Sequence, residues 1–253
     1  MGINNKQLLQ LLNQILSPDR IKDYCPNGLQ VEGQSQINKI VTGVTASQAL
    51  IDRAIAKGAQ AIIVHHGYFW KGEDPCVVGM KKRRLQSLLA HNINLYAYHL
   101  PLDVHSKIGN NAQLAKLLGI EVTDGLERGN TTSIAMQGVF KQPISVDQLT
   151  NRIQQQLQRQ PLVEKVSDKL ISSVAWCTGG GQNYIDLAAT QGIDAFITGE
   201  ASEQTIHTAR EMGIHFFAAG HHATERYGAK ALGELLAAEH GLDTEFVDID
   251  NPV

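Results

Sequence analysis

Four short stretches of this chain bring together side chains that can do chemistry. Ala61-Ile62-Ile63-Val64 runs straight into His65, His66 and Gly67. His99-Leu100-Pro101-Leu102-Asp103 follows the apolar run Leu95–Tyr98. Gly199-Glu200 follows Ala195–Thr198, and Gly220-His221-His222-Ala223-Thr224-Glu225 follows His215–Ala219. An apolar run closed by a glycine reads as a strand buried on both faces. In open α/β sheets ligands bind at the carboxyl ends of such strands. Neighbouring side chains diverge inside a strand, but where the backbone turns at its end two adjacent imidazoles can face one crevice. His221 and Glu225, four apart at a helix start, share one face one turn apart. Three histidines and two carboxylates exceed the needs of one tetrahedral zinc. They suit two borderline divalent cations held close together, with one carboxylate bridging them.

The elements that would position these groups alternate between helix and strand. A helix is expected over Asn5–Leu16, ending at Ser17-Pro18, and Pro26-Asn27-Gly28 marks a turn before the extended Leu29-Gln30-Val31. Lys39–Thr45 reads as a strand, and Ser47 as the N-cap of a helix through Lys57 with Gly58 as its stop. The Ala61–His65 strand, a basic helix over Gly79–His91 and the Leu95–Tyr98 strand follow. The pattern then begins again: strand Thr132–Phe140, a Ser145-capped helix through Leu157, strands Leu162–Val166 and Ser172–Cys177, a glycine turn and a helix through Gln191. Strand Ala195–Thr198, helix Glu203–Met212, strand His215–Ala219, helix Ala223–His240 and an extended Phe246–Ile249 complete it. Such alternation implies βαβ units and a mostly parallel sheet.

The halves read as copies. Sliding Val41–Val64 by 134 residues lays it on Ala175–Thr198, with Gln48/Gln182, Ile51/Ile185, Asp52/Asp186, Ala54/Ala188, Gly58/Gly192, Ala61/Ala195 and Ile63/Ile197 identical. Ile93–Tyr98 corresponds in kind to Ile214–Ala219. The expected fold is α/β, with two similar lobes of duplicated βαβ units facing each other and a dinuclear metal site in the cleft between them.

Composition narrows the function classes. A net charge of −3 provides no basic footprint for nucleic acid. Cys25, Cys76 and Cys177 are odd in number and share no close spacing, which fits neither a disulfide framework nor a cysteine-based zinc site and suits a reducing compartment. The leucines of the first helix lie at helical spacing among glutamines and asparagines, unlike a signal-peptide core. No run approaches the roughly 18 apolar residues of a membrane span. A cytoplasmic protein with no membrane partner is expected.

The combination of Asn27-Gly28-Leu29-Gln30-Val31, Val64-His65-His66-Gly67, His99 to Asp103 and Gly220 to Glu225 resembles the Nif-three-like family, whose bacterial members are called GTP cyclohydrolase 1 type 2 homologues. The resemblance covers the whole chain. It implies that the ligands of a dinuclear centre fall on His65, His66, Asp103, His221 and Glu225, with the tandem histidines on different ions and Glu225 bridging. It also implies two interlinked lobes, residues 1–126 with the tandem histidines and Asp103, and residues 127–253 with His221 and Glu225 in the final segment. A ring-shaped homohexamer is part of the same expectation, in the short form that lacks an inserted domain.

Two divalent ions bring four positive charges, of which Asp103 and Glu225 cancel two. A site left at about +2 attracts an anionic group such as phosphate and favours hydrolysis. The expected function is therefore a metal-dependent hydrolase of a small anionic, phosphorylated or nucleotide-like substrate, with iron, zinc, manganese or nickel all chemically suitable. The alternative is a non-catalytic, ring-forming metal-binding scaffold for DNA or protein partners. Lys81-Lys82-Arg83-Arg84 reads as a solvated helix face, though six copies lining a ring would attract polyanions. His99, cut off from Asp103 by Pro101, is expected to orient a ligand by a hydrogen bond, and His222 to act as an acid or base or to serve structure. His99 and His222 are thus the candidate catalytic residues. Glu200 can approach the site or cap the next helix, and Cys177-Thr178-Gly179-Gly180-Gly181 is expected to be a plain tight turn.

Overall fold

The computed structural model describes residues 2–253, and the chain divides into two units. The first comprises Met1–Leu102 and Gly228–Ile249, and the second Asp103–Tyr227 and Asp250–Val253. The division thus differs from the expected split at residue 126. The chain enters the second unit at Asp103 and returns to the first within the helix His221–His240.

The first unit is built on a five-stranded sheet in the order Asp243–Phe246, Lys39–Thr45, Ala61–His66, Asn94–Ala97, Gly28–Val31. The first four strands run parallel and Gly28–Val31 is antiparallel at the edge. Ile40, Val41, Ile62, Ile63, Val64, Leu95 and Tyr96 are fully buried. This is why these segments carry apolar runs rather than an alternating pattern. Each buried aliphatic side chain contributes about 1.5–3 kcal/mol over an exposed one. The crossover helix Gln48–Ala56 starts where the Ser47 hydroxyl accepts the Leu50 N–H at 3.3 Å. It packs Leu50, Ile51 and Ala54 on the sheet. The first helix, Asn5–Leu16, opens with a reciprocal capping box between Asn4 and Gln7 and ends before Pro18.

The second unit has a six-stranded sheet ordered Ile120–Gly125, Met136–Ile144, Ile171–Cys177, Ala195–Thr198, His215–Ala218, Leu162–Glu164. The three strands from Ile171 to Ala218 in that order are parallel, and their flanking strands antiparallel. Alternate side chains serve two cores: Val174, Trp176 and Ile197 pack with Leu149 and Ile153 on one face. Ala175, Cys177 and Phe196 pack with Ile185 and Ala209 on the other. Both cores are closed by well-capped helices, Val146–Leu157 from Ser145 and Glu203–Met212 from Ser202.

The duplication is visible in the strand register. Ile40 pairs with Ala61 as Val174 pairs with Ala195, each residue shifted by 134. Ala61 pairs with Asn94 as Ala195 pairs with His215. The copy even reaches the antiparallel edge, where Gly28 pairs with Ala97 as Leu162 pairs with Ala218.

Several segments differ from the sequence reading. The Thr132–Phe140 strand is shifted to Met136–Ile144, and its hairpin partner Ile120–Gly125 and the helix Asn110–Leu118 were not expected. The last extended segment pairs over Asp243–Phe246, earlier than Phe246–Ile249. Among the described residues no helix is long and apolar enough to cross a membrane.

Candidate metal centre

In the first unit the Ala61–His66 strand ends on its two histidines, and their rings lie 4.4 Å apart between centroids. His65 is fully buried, with Nδ1 3.1 Å from the Tyr98 carbonyl oxygen. A carbonyl can only accept, so Nδ1 is the donor, which leaves Nε2 as the ring's ligand atom. His66 Nδ1 lies 3.1 Å from the Thr45 hydroxyl of the paired strand end. The turn that follows has room only for glycine: a Cβ on Gly67 would lie 2.1 Å from Gln30 Oε1 and 2.5 Å from Ala97 Cβ. Gln30 in turn accepts the Tyr68 N–H at 2.7 Å and donates to the Tyr68 and Pro26 carbonyls. The Asn27–Val31 motif therefore braces the histidine loop.

His99 joins this cluster, its ring 5.0 Å from His65 and 5.8 Å from His66. Ligating atoms of the three histidines fall within 4.8 Å of one another. Its Nδ1 is 3.0 Å from Asp23 Oδ1, and its backbone N–H donates to Asn27 Oδ1 at 2.7 Å. Asp23 also receives the Leu100 N–H and the Asn27 amide, each at 3.0 Å. Burial would raise the Asp23 carboxyl, but the hydrogen bonds and charge of His99, with Asn27 and Leu100, outweigh it and hold it well below the usual carboxylate range. Asp23, 76 residues before His99, carried no signal in the sequence. Pro101 does not exclude helix here. It sits in the first turn of Leu100–Val104, where a proline's missing N–H costs nothing, and His99 lies just ahead of it.

In the second unit Asp103 lies in that same short helix and is buried. Its Oδ1 accepts from Asn110 Nδ2 at 2.8 Å and from the Thr178 hydroxyl at 3.3 Å. Thr178 begins the glycine turn after strand Ile171–Cys177, so the turn orients a site carboxylate as well as reversing the chain. Gly179 adopts φ +64°, and a Cβ there would sit 1.9 Å from Glu225 Oε1 and 3.1 Å from His221 Nε2. The turn is tied down by the Thr224 hydroxyl, which accepts the Gly179 N–H at 3.0 Å, and by the Gly199 N–H, which donates to the Gly179 carbonyl at 2.8 Å. Glycine at 179 makes room for the carboxylate.

His221 and Glu225 stand one turn apart at the start of His221–His240, with Nε2 and Oε2 3.1 Å apart. Two atoms that share one ion at about 2.0–2.2 Å lie about 3.0–3.5 Å apart at tetrahedral or octahedral angles. The other face of the ring is held by Glu200, whose Oε1 lies 2.6 Å from His221 Nδ1. Glu200 is therefore no helix cap; Ser202 caps Glu203–Met212. Burial would lower the His221 imidazole, but Glu225 and Glu200 outweigh it and hold it up at about 9. His222 is buried in the first turn of the same helix, its backbone N–H on the Val253 carbonyl at 3.0 Å.

The donor set fits borderline divalent cations. Each of His65, His66 and His221 is anchored through Nδ1, and Asp103 through one oxygen. Anchoring of this kind is the outer support that orients metal ligands.

A family model described as Duf34/NIF3 (NGG1p interacting factor 3) matches residues 3–252. A Vibrio cholerae protein called GTP cyclohydrolase 1 type 2 homolog is 61% identical over 99% of this chain and all of its own length. A Haemophilus influenzae protein of the same name is 62% identical over 99% of this chain and 100% of its own. The solved structure of protein ybgI, of unknown function, superposes with a TM-score of 0.96 at 55% identity, covering 99% of this chain and 100% of that one.

Proposed function

The chain belongs to the Duf34/NIF3 family, and from that premise we propose that it is a metal-dependent hydrolase of a small phosphorylated or nucleotide-like substrate. His65, His66, Asp103, His221 and Glu225 would hold two divalent cations per subunit. The tandem histidines would serve different ions, and Glu225 would be shared between them. The observation that carries this reading is the anchoring of the imidazoles: His65 on a carbonyl and His221 on a carboxylate, each with Nε2 as its ligand atom.

Divalent cations at such a site supply Lewis acidity and a water of lowered pKa. The chain's own contribution is geometric. Glu200 and the Tyr98 carbonyl fix two rings, Asn110 and Thr178 fix Asp103, and Gly179 leaves the space that Glu225 fills. His99, held by Asp23 beside His65, is the better placed of the two candidates for handling a proton of the leaving group. His222 is the other. The sequence reading of a cytoplasmic homohexameric ring belongs to the same proposal, with iron, zinc, manganese or nickel as the ion. The scaffold alternative draws less support. Lys81 of the basic run is engaged by Glu73 at 3.4 Å and by the Asp74 carbonyl at 2.9 Å, and only Lys82 and Arg83 of the four are exposed.

Glu225→Gln separates the two readings. A hydrolase loses turnover of a phosphorylated substrate panel while its oligomeric mass by light scattering is unchanged. A structural metal site loses the assembly, and that result would remove the enzyme reading.

A further inference from the structure

We infer that Tyr24 and Trp70 form a stacking wall for a planar heteroaromatic ring of the substrate, next to the histidine cluster. The inference rests on the proposed hydrolase and names its substrate class: a flat, nucleobase-like ring joined to an anionic group.

Trp70 is the ring common to the set. Its centroid lies 5.7 Å from Tyr24, 5.0 Å from His99 and 6.0 Å from His66. Tyr24 stands edge-on to His99 at 5.0 Å. The other tyrosines of this unit behave as core residues. Tyr68, Tyr96 and Tyr98 are buried, with hydroxyls donating to the Ala46 carbonyl, the Asn5 carbonyl and Asn13 Oδ1. Tyr24, by contrast, is 53% exposed, and Trp70 is half-buried.

This aromatic surface at the solvent boundary is built, not incidental. The Lys71 N–H donates to the Tyr24 carbonyl at 2.8 Å, so the two loops carrying the rings are fastened together. The Trp70 backbone N–H donates to Glu73 Oε2 at 3.1 Å, and Asp23, the residue before Tyr24, is fixed by the Leu100 N–H and the Asn27 amide that it accepts. Phe69 adopts φ +65°, a costly conformation for an aromatic residue. It separates three consecutive aromatics: Tyr68 goes into the core, Phe69 outward under Lys81, and Trp70 toward His99.

Two tilted aromatic faces could also hold an organic cation. A centre left at about +2 repels one, and attracts the phosphate of a ligand whose neutral ring stacks. Stacking tolerates every base because every base has a π-face, so the wall selects flat heteroaromatics as a class.

The test uses the full metal-loaded chain, titrated by calorimetry and tryptophan fluorescence with guanosine and adenosine 5′-monophosphates, ribose 5-phosphate, and the neutral nucleosides. The chain has two tryptophans, and Trp176 is fully buried, so Trp70 emission is the one a stacked ring quenches. The nucleotides are expected to bind about tenfold or more tightly than ribose 5-phosphate. Trp70→Leu should erase that margin by calorimetry, leaving ribose 5-phosphate affinity and metal content unchanged, whereas Trp70→Phe should retain the margin. Equal affinities in the wild type, or a margin that survives both Trp70→Leu and Tyr24→Leu, overturns the wall. If the hydrolase reading fails and no phosphate binds, nucleosides that quench Trp70 in the wild type and several-fold less in Tyr24→Leu, which keeps the emitter, still support it. Absence of any nucleoside or nucleotide quench overturns it.

Discussion

The two units carry one sheet register and two different chemistries. Shifted by 134 residues, Thr45 falls on Gly179, His65 on Gly199 and His66 on Glu200. In the first unit the strand ends offer a threonine hydroxyl that holds His66, and two imidazoles. In the second the same positions offer a glycine that makes room for Glu225, another glycine, and a carboxylate that holds His221. The duplicated scaffold thus puts side chains at equivalent strand ends, and its divergence sets which donors stand there. Nitrogen donors dominate in the first unit, and the second offers the carboxylates that the proposed pair of cations would need.

The sharpest break of this comparison lies in the carboxylates. Two cations about 3.5–4 Å apart repel, and a bridging carboxylate offsets that repulsion. Glu225→Ala should therefore lose more metal affinity than Asp103→Ala, although each removes one charge. Calorimetric metal titration of both variants decides it, and equal losses would make Glu225 a terminal ligand.

Gly179→Ala comes next. The added Cβ meets Glu225 Oε1 at 1.9 Å in a backbone at φ +64°, so we expect about 1–3 kcal/mol of destabilisation by urea unfolding together with a fall in bound metal. The equivalent change in the other unit, Thr45→Ala, should be milder. It removes one hydrogen bond to His66, worth about 0.5–1.5 kcal/mol of stability, and lowers metal affinity about tenfold. Similar losses at 45 and 179 would mean that the two positions play one role.

The smallest effect concerns Asp23, whose folded carboxyl lies below its unfolded value. Its contribution to stability is full above the usual carboxylate pKa and is lost as pH falls through the folded value. The metal-free Asp23→Asn variant should therefore show a flatter decline of stability on acidification than the wild type. Parallel urea-melt profiles below pH 5 would contradict that.

Much of this was legible in the sequence because the central strands carry apolar runs and several end on polar residues. The lobes, their strand order in sequence and the Nif-three-like resemblance could be read from Ala61–Gly67, Ala195–Glu200 and the 134-residue repeat. The supporting shell could not. Asp23 reaches His99 across 76 residues and Thr178 reaches Asp103 across 75, and no periodicity encodes such pairs. Ile120–Gly125 hid for a local reason: it is an edge strand with four consecutive exposed residues, lacking both an apolar run and an alternation. Pro101 falls in the first turn of Leu100–Val104, where proline is tolerated, and His99 stays outside the helix that carries Asp103, as the sequence implies. The unit boundary at Asp103 is set by packing, and the return of His221–His240 to the first unit leaves no mark in composition.

Anomalous diffraction from crystals soaked in manganese or zinc tests the central claim most directly. The account predicts two peaks per chain about 3.5–4 Å apart, one on His65 and one on His66, with Glu225 touching both and Asp103 and His221 completing the set. A single peak, none, or a pair that leaves Glu225 uncoordinated would contradict it.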